Sequence, residues 1–317
     1  MAAVSMTRAL LPATARAYLE PRLPGWLEPI WWHDSASMLA AAPQAEIAWL
    51  DLHDKRTPLE AIRLAQGLRW LNSTFAGVDW LPLAELKERK VTLTNGAGLA
   101  ANQVAEFAVM AMLNVARGYR EIVRAQDRGE WLPGPPARRE LAGSQALVIG
   151  YGAIGQAVGR MLGGFGAHVT PVTRSGSPGT LKPDEWQARL GEFDWVILTA
   201  PGTAETAHMF GAGELAAMKR EGVLVNIARA SMIDQPALVE TLREGRIHAA
   251  ILDLTDPEPL PPGHELWQLE NAHITMHLAG IPTPATLTRG LDRFLANCEA
   301  FHAGQPLEAT VDLSLGY

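Results

Sequence analysis

Short apolar runs and stretches with a 3.6-residue apolar period alternate along this chain, and they do so in two separate blocks. Before residue 100, segments 30–32, 46–52 and 68–72 predict short strands, with helical segments near 14–19, Leu39 and 58–66 between them. That is a small doubly wound unit. From residue 100 to residue 124, Val104, Phe107, Ala108, Ala111, Met112 and Val115 recur at i, i+3, i+4 spacing and predict one long helix crossing to a second domain. The run Trp131-Leu132-Pro133-Gly134-Pro135-Pro136 breaks the pattern as a loop or arm. Strands are then expected at 146–149, 168–173, 195–199, 223–227, 249–254 and 274–275, alternating with helices, which predicts a parallel sheet. Beyond residue 286, Leu291, Phe294, Leu295 and Cys298 lie on one helical face expected to pack back on the first domain. The fold class is α/β with two domains, as the 317-residue length also suggests.

The run Ala146-Leu147-Val148-Ile149 flows into Gly150-Tyr151-Gly152-Ala153-Ile154-Gly155 and then into a helix with Val158, Met161, Leu162 and Phe165 on one face. A lone GxGxxG is weak, but this strand–turn–helix context is the one a dinucleotide site requires. Gly150 permits the tight turn, Gly152 lets the backbone approach the pyrophosphate, and Gly155 lets helix and strand pack closely. The phosphates then sit at the helix N-terminus. At the end of the next strand an acid would bond the ribose 2′-hydroxyl of NAD, and this chain has Arg174-Ser175 there, 19 residues after Gly155. A guanidinium beside a hydroxyl suits a 2′-phosphate, so NADP(H) is favoured, with NAD(H) possible if Arg174 is an ordinary surface residue.

Composition narrows the class of partner. The formal net charge is −7 and no basic block occurs, which argues against nucleic acid and anionic membranes. No run reaches the ~18 apolar residues of a membrane span, and residues 1–11 lack a signal-peptide core, so the cytoplasm is the expected location. The single cysteine, Cys298, rules out a disulfide framework and reads as a small buried hydrophobe. The histidines other than His277 show no metal-ligand spacing; His273 and His277 are four apart but on a strand, so no metal is expected.

Polar groups at the strand ends must carry the chemistry. Arg229 follows the run Val223-Leu224-Val225-Asn226-Ile227-Ala228, Asp253 and Glu258 follow another strand, and His277 follows a third. Arg229 can grip a carboxylate and a neighbouring carbonyl oxygen with its planar fork. His277 can move a proton near neutral pH. Glu258, hydrogen-bonded to it, would stabilise the imidazolium so that the histidine starts as a competent acid. A plain Arg–Glu salt bridge and a structural histidine are the alternatives.

These segments resemble a known family. Asn226-Ile227-Ala228-Arg229-Ala230-Ser231-Met232-Ile233-Asp234, then Asp253 through Glu258-Pro259-Leu260-Pro261, then Asn271-Ala272-His273-Ile274-Thr275-Met276-His277-Leu278-Ala279-Gly280 look like signatures of the D-isomer-specific 2-hydroxyacid dehydrogenases. Ser73-Thr74-Phe75-Ala76-Gly77-Val78-Asp79 is similar to the family's substrate-carboxylate loop. The resemblance covers nearly the whole chain. It implies a flavodoxin-like substrate domain, 1–98 with 287–317, into which a Rossmann nucleotide-binding domain, 99–286, is inserted, with catalysis in the cleft. Arg229, Glu258 and His277 match the family's catalytic groups. The backbone N–H groups of Ala76, Gly77 and Val78 are implied to cradle the substrate carboxylate, and Ala200, Pro201 and Ala228 to line the cofactor. Asp253 is implied to lie near the nicotinamide amide, with an interior structural hydrogen bond as its other role.

Three positions depart from the pattern: Ala230 replaces glycine, Met276 replaces proline and Trp80 stands where histidine is common. None removes a catalytic group; Trp80 suggests an altered substrate wall. The implied reaction is reversible reduction of a 2-keto acid to the D-2-hydroxy acid. The tail Val311-Asp312-Leu313-Ser314-Leu315-Gly316-Tyr317 resembles the glyoxylate/hydroxypyruvate reductase branch, with a bulkier or aromatic 2-keto acid as the alternative. A formate dehydrogenase is disfavoured because that activity pairs the histidine with Gln rather than Glu258. Some relatives are dinucleotide-sensing corepressors, yet this chain lacks the long polar or basic extensions a recognition platform generally uses. A homodimer is the family expectation, in which Trp131 either reaches a neighbouring active site or packs locally.

Overall fold

The computed structural model describes residues 6–317, so the first five residues of the expected first domain and N-terminal segment lie outside it. Two compact units emerge, Met1–Leu99 with Pro282–Tyr317, and Ala100–Ile281. The chain returns to the first unit at Pro282 rather than at the expected 287. The physical reason is local: Thr283 caps the last helix by accepting from the Thr286 N–H, and Pro284 opens it, so the break falls just before that cap.

In the first unit, β1 (Thr7–Pro12), α1 (Arg16–Leu19), β2 (Leu27–Trp32), α2 (Ser35–Ala41), β3 (Ile47–Trp49), α3 (Arg56–Leu64), β4 (Trp70–Asn72), α4 (Leu83–Glu88) and β5 (Thr92–Thr94) alternate. The five strands are parallel in the order β2-β1-β3-β4-β5, the flavodoxin-like winding. Neither β1 nor β5 was expected from the apolar pattern. β1 nonetheless lies second in the sheet with its last four residues buried, and β5 has only three residues in which to show a period.

The second unit begins with α5 (Ala101–Arg117) and α6 (Tyr119–Asp127), which replace the single helix expected over 100–124. Gly118 divides them: it takes a left-handed conformation (φ 63°), and a Cβ there would come within 2.8 Å of Pro136 Cβ. The proline-rich arm therefore packs onto the break. Next come β6 (Gln145–Ile149), α7 (Ala153–Gly164), β7 (His168–Val172), β8 (Trp195–Leu198), α8 (Ala212–Ala217), β9 (Val223–Asn226), α9 (Gln235–Arg243), β10 (Ala249–Leu252) and β11 (Ala272–Ile274). All six strands are parallel, in the order β11-β10-β9-β8-β6-β7, and a one-residue bridge from Val172 to Leu181 stands where a further strand would extend the edge. β6, β8, β9 and β10 are buried on both faces, as a parallel sheet covered by helices requires.

The chain ends with α10 (Pro284–His302), which belongs to the first unit. Its Phe294 ring packs on Trp70 (5.2 Å) and Trp49 (5.4 Å), and Cys298 lies fully buried beside them. Burial pushes the Cys298 thiol up, as an inert core cysteine requires. Among the described residues no helix is long and apolar enough to cross a membrane, and no three metal-ligating side chains come together.

Candidate active site

The carboxyl edge of the second unit's sheet gathers the predicted chemistry. Directly after β6, Gly150 turns at φ 91°, a backbone that favours glycine, and a Cβ there would lie 2.5 Å from the Ala200 backbone. At Gly155 a Cβ would sit 2.2 Å from Gly150 O, so this helix position and the loop meet backbone to backbone. Gly152, by contrast, has nothing within 4 Å of its Cβ position, and it precedes α7 in an extended conformation with no side-chain cap. The first-turn N–H groups of Ala153, Ile154 and Gly155 therefore face room for a phosphate. This loop fits a dinucleotide. The Thr199 hydroxyl donates to Gly150 O and ties the β8 end to the turn, a contact the motif alone did not announce.

The Tyr151 ring does not point into this space. It folds back across Gly159 of α7, where a Cβ would come within 2.5 Å of its hydroxyl, so Tyr151 can serve a cofactor only through its backbone. Arg174 and Ser175 are exposed in the turn after β7, and the Gly150 N–H donates to Val172 O (3.1 Å), so that turn lies beside the glycine loop. Pro201 is exposed at the end of β8, its carbonyl accepting from the Thr206 hydroxyl at 2.8 Å.

Strands β9, β10 and β11 are adjacent, and Asn226, Leu252 and Ile274 share one register row. Arg229, Asp253 and Glu258, and His277 leave from that row. Fully buried Asn226 shapes the first exit: its Oδ1 accepts from the Ala228 N–H (3.0 Å) and its Nδ2 donates to Arg229 O (2.8 Å). The Arg229 stem then lies over Gly202, where a Cβ would meet its Cγ at 2.7 Å. Asn226 thus positions Arg229 without being ionisable, and its mark in the sequence is an asparagine closing an apolar strand.

Glu258 and His277 form the expected pair, with Oε2 3.0 Å from Nδ1. Both are accessible, His277 with about half of its side chain exposed (53%). The loop carrying Glu258 is braced by Gln235, whose Oε1 accepts from the Asp256 N–H at 2.9 Å. With Nδ1 committed to the carboxylate, Nε2 is the atom left to exchange a proton.

Asp253 holds the histidine. It is buried, and its Oδ1 accepts from the Thr275 hydroxyl (2.6 Å) and the N–H groups of Leu278 (3.1 Å) and Ala279 (3.4 Å), while its carbonyl accepts from the His277 N–H (2.6 Å). The interior hydrogen-bonding role is therefore present. Met276 and His277 both adopt φ 56°, which a proline at 276 could not do, so the departure at Met276 goes with a backbone of its own.

In the first unit, the loop after β4 is tied down from below. Asp51 accepts from the Ser73 hydroxyl (2.7 Å) and from both the N–H and hydroxyl of Thr74 (2.6 Å each). Asn95 Nδ2 donates to Ala76 O (2.8 Å), and the Gly96 N–H donates to Phe75 O (2.9 Å). Ala76 is exposed, Gly77 half-buried and Val78 buried.

Comparison with known proteins agrees with this architecture. Residues 109–279 match the model of the D-isomer specific 2-hydroxyacid dehydrogenase NAD-binding domain. A glyoxylate reductase from Korarchaeum cryptofilum is 31% identical over 261 residues, spanning 78% of this chain and 76% of the relative. A D-isomer specific 2-hydroxyacid dehydrogenase family protein from Aeromonas salmonicida superposes with a TM-score of 0.87 at 27% identity, covering 98% of this chain and 99% of that one. An NADPH-dependent glyoxylate/hydroxypyruvate reductase from Sinorhizobium meliloti, solved with NADP and malonate, gives 0.81 at 25% identity over 98% of both chains. The chain belongs to the D-isomer-specific 2-hydroxyacid dehydrogenase family and carries that family's NAD-binding domain.

Proposed function

We propose that this enzyme reversibly reduces a small 2-keto acid, glyoxylate or hydroxypyruvate, to the D-2-hydroxy acid, with NADP(H) preferred and His277 as the acid/base. The observation that carries this reading is the 3.0 Å Glu258–His277 pair, on the same sheet edge as Arg229 and the glycine loop. The reduced nicotinamide supplies a hydride to the keto carbon when bound. His277 Nε2 gives a proton to the developing alkoxide, and Glu258 stabilises the imidazolium before that transfer. Arg229 orients the substrate by its carboxylate and polarises the carbonyl; the amides of Ala76, Gly77 and Val78 complete the carboxylate cradle. Asp253 sits beneath the histidine loop, with Ala200, Pro201 and Ala228 against the cofactor. The balance is keto acid, NADPH and one proton in, hydroxy acid and NADP out.

Arg174 and Ser175 support the NADP preference, because the turn after β7 offers a guanidinium and a hydroxyl where an acid would select NAD. A homodimer is part of the same reading. Exposed Met110, Tyr119, Ile122 and Val123 on α5 and α6, with Trp131 almost fully exposed (97%) on the arm, supply apolar surface for a second copy. Initial rates of NADPH and NADH oxidation with glyoxylate, hydroxypyruvate and phenylpyruvate test the proposal. NADPH should be favoured, and Arg174→Ala should raise its KM while leaving that of NADH unchanged. Turnover with NADH alone would remove the cofactor preference, and no turnover with any pair would remove the function.

A further inference from the structure

One lysine of the first unit sits against the loop that this reading assigns to the substrate carboxylate. Lys55, at the start of α3, donates from Nζ to Leu52 O (3.2 Å), and the same ammonium lies 4.2 Å from the Phe75 ring centroid and 4.4 Å from that of Trp80. Phe75 immediately precedes Ala76, and Trp80 follows Asp79, so the two aromatic residues flank Ala76, Gly77 and Val78 along the chain. Lys55 is half-buried; burial holds its ammonium below the ordinary lysine range, opposed by Asp51 and Asp79. The Asp51 carboxylate is already taken by Ser73, Thr74 and the Trp49 indole N–H (2.9 Å).

Phe75 and Trp80 are the aromatic surface that could have lined a pocket for a bulky apolar keto acid. Each instead presents a face to the same ammonium, a contact strengthened by partial removal from water. An apolar side chain seated here would have to desolvate that charge further or pull a ring off it. A short hydrophilic keto acid does neither.

We propose that Lys55 is a specificity-determining residue: by fixing Phe75 and Trp80 on its ammonium, it makes the site select short hydrophilic 2-keto acids over aromatic ones. This inference rests on the 2-keto acid reductase reading above. The test compares kcat/KM for hydroxypyruvate and phenylpyruvate, with NADPH saturating, in wild type, Lys55→Met and Lys55→Arg. Lys55→Met keeps an unbranched stem and removes the charge. Its hydroxypyruvate-to-phenylpyruvate preference should fall about tenfold, the equivalent of ~1.4 kcal/mol, through a lower KM for phenylpyruvate with little change in kcat for either substrate. Lys55→Arg should retain most of the preference, since a guanidinium also stacks on aromatic faces.

An unchanged ratio in a folded Lys55→Met variant overturns the inference while leaving the reductase reading intact. Wild-type protein that reduces no 2-keto acid overturns both. If Lys55→Met does not fold, Phe75→Leu gives the same comparison from the ring side, and a wild-type ratio there equally refutes the role of the clamp.

Discussion

Replacing Asp253 probes the link between the buried strand end and the reacting histidine. Asp253→Ala removes Oδ1 from the Thr275 hydroxyl and the Leu278 and Ala279 N–H groups, leaving two good donors and one long one without their acceptor. Hydrogen bonds to a charged acceptor contribute about 1.5–3 kcal/mol each, and orphaned buried donors cost about as much. The two short bonds thus set an expected loss of ~3–6 kcal/mol, which for a unit of this size lowers the melting temperature by roughly 10 °C or more. Asp253→Asn keeps a neutral acceptor oxygen, so about half of that loss is expected.

Function should follow the same order. The bond from the His277 N–H to Asp253 O survives both changes, because it is made by the backbone, yet the loop on either side is released. Displacement of a reacting group by about 1 Å can cost ~100-fold in rate, so kcat should fall about 100-fold in Asp253→Ala and less in Asp253→Asn. Thermal melts read by circular dichroism, together with single-turnover rates at saturating NADPH, provide the comparison. Asp253→Ala that melts within about 2 °C of wild type and turns over normally once saturated with cofactor would show that Asp253 does not position the loop.

Two further outcomes rest on other parts of the same unit. Gly155→Ala places a Cβ 2.2 Å from Gly150 O, a contact between backbone atoms with no flexible side chain to yield, so it should cost more than ~1–3 kcal/mol and abolish the melting shift produced by NADPH; an undiminished shift would separate this packing from cofactor binding. His273 is held neutral, down to about 4, chiefly by burial and then by Arg120 and His248, with Glu270 opposing and Arg124 adding. Its folded value lies below the unfolded one, so its contribution is complete above about pH 6.5 and is lost as pH falls from there toward 4. His248, shifted the same way by burial and Arg139, adds the same sign. Urea midpoints from pH 7 to 4 should therefore fall less steeply in His273→Gln than in wild type, and parallel slopes would contradict the assignment.

Much of the active site was legible because its requirements are local. A turn at φ 91° and a backbone contact at 2.2 Å demand glycines at fixed spacing, and polar residues closing apolar strands announce a carboxyl edge. The α/β alternation was equally visible, since the central strands of the second sheet are buried on both faces and read as unbroken apolar runs. Features set by distant partners were not. β1 acquires its meaning from pairing with β2 and β3, which lie well downstream, and β5 is too short to show a period. Gly118 interrupts an apolar helical pattern because Pro136 packs against it, something spacing within the helix cannot record. The role of Asn226 and the identity of the three donors to Asp253 Oδ1 arise from hydrogen bonds within and between loops, and the Lys55 clamp from rings 20 and 25 residues away.

The most direct test follows the hydride into the product and, in parallel, removes the group assigned to deliver the proton. Hydroxypyruvate is reduced with NADPH carrying deuterium on the transferable C4 position, and the product is analysed for label and configuration, using wild type and His277→Ala. Wild type should yield D-glycerate with deuterium on C2, and the rate should fall by at least ~100-fold when the acid is removed. Unlabelled product, the L-isomer, or undiminished turnover in His277→Ala would contradict it.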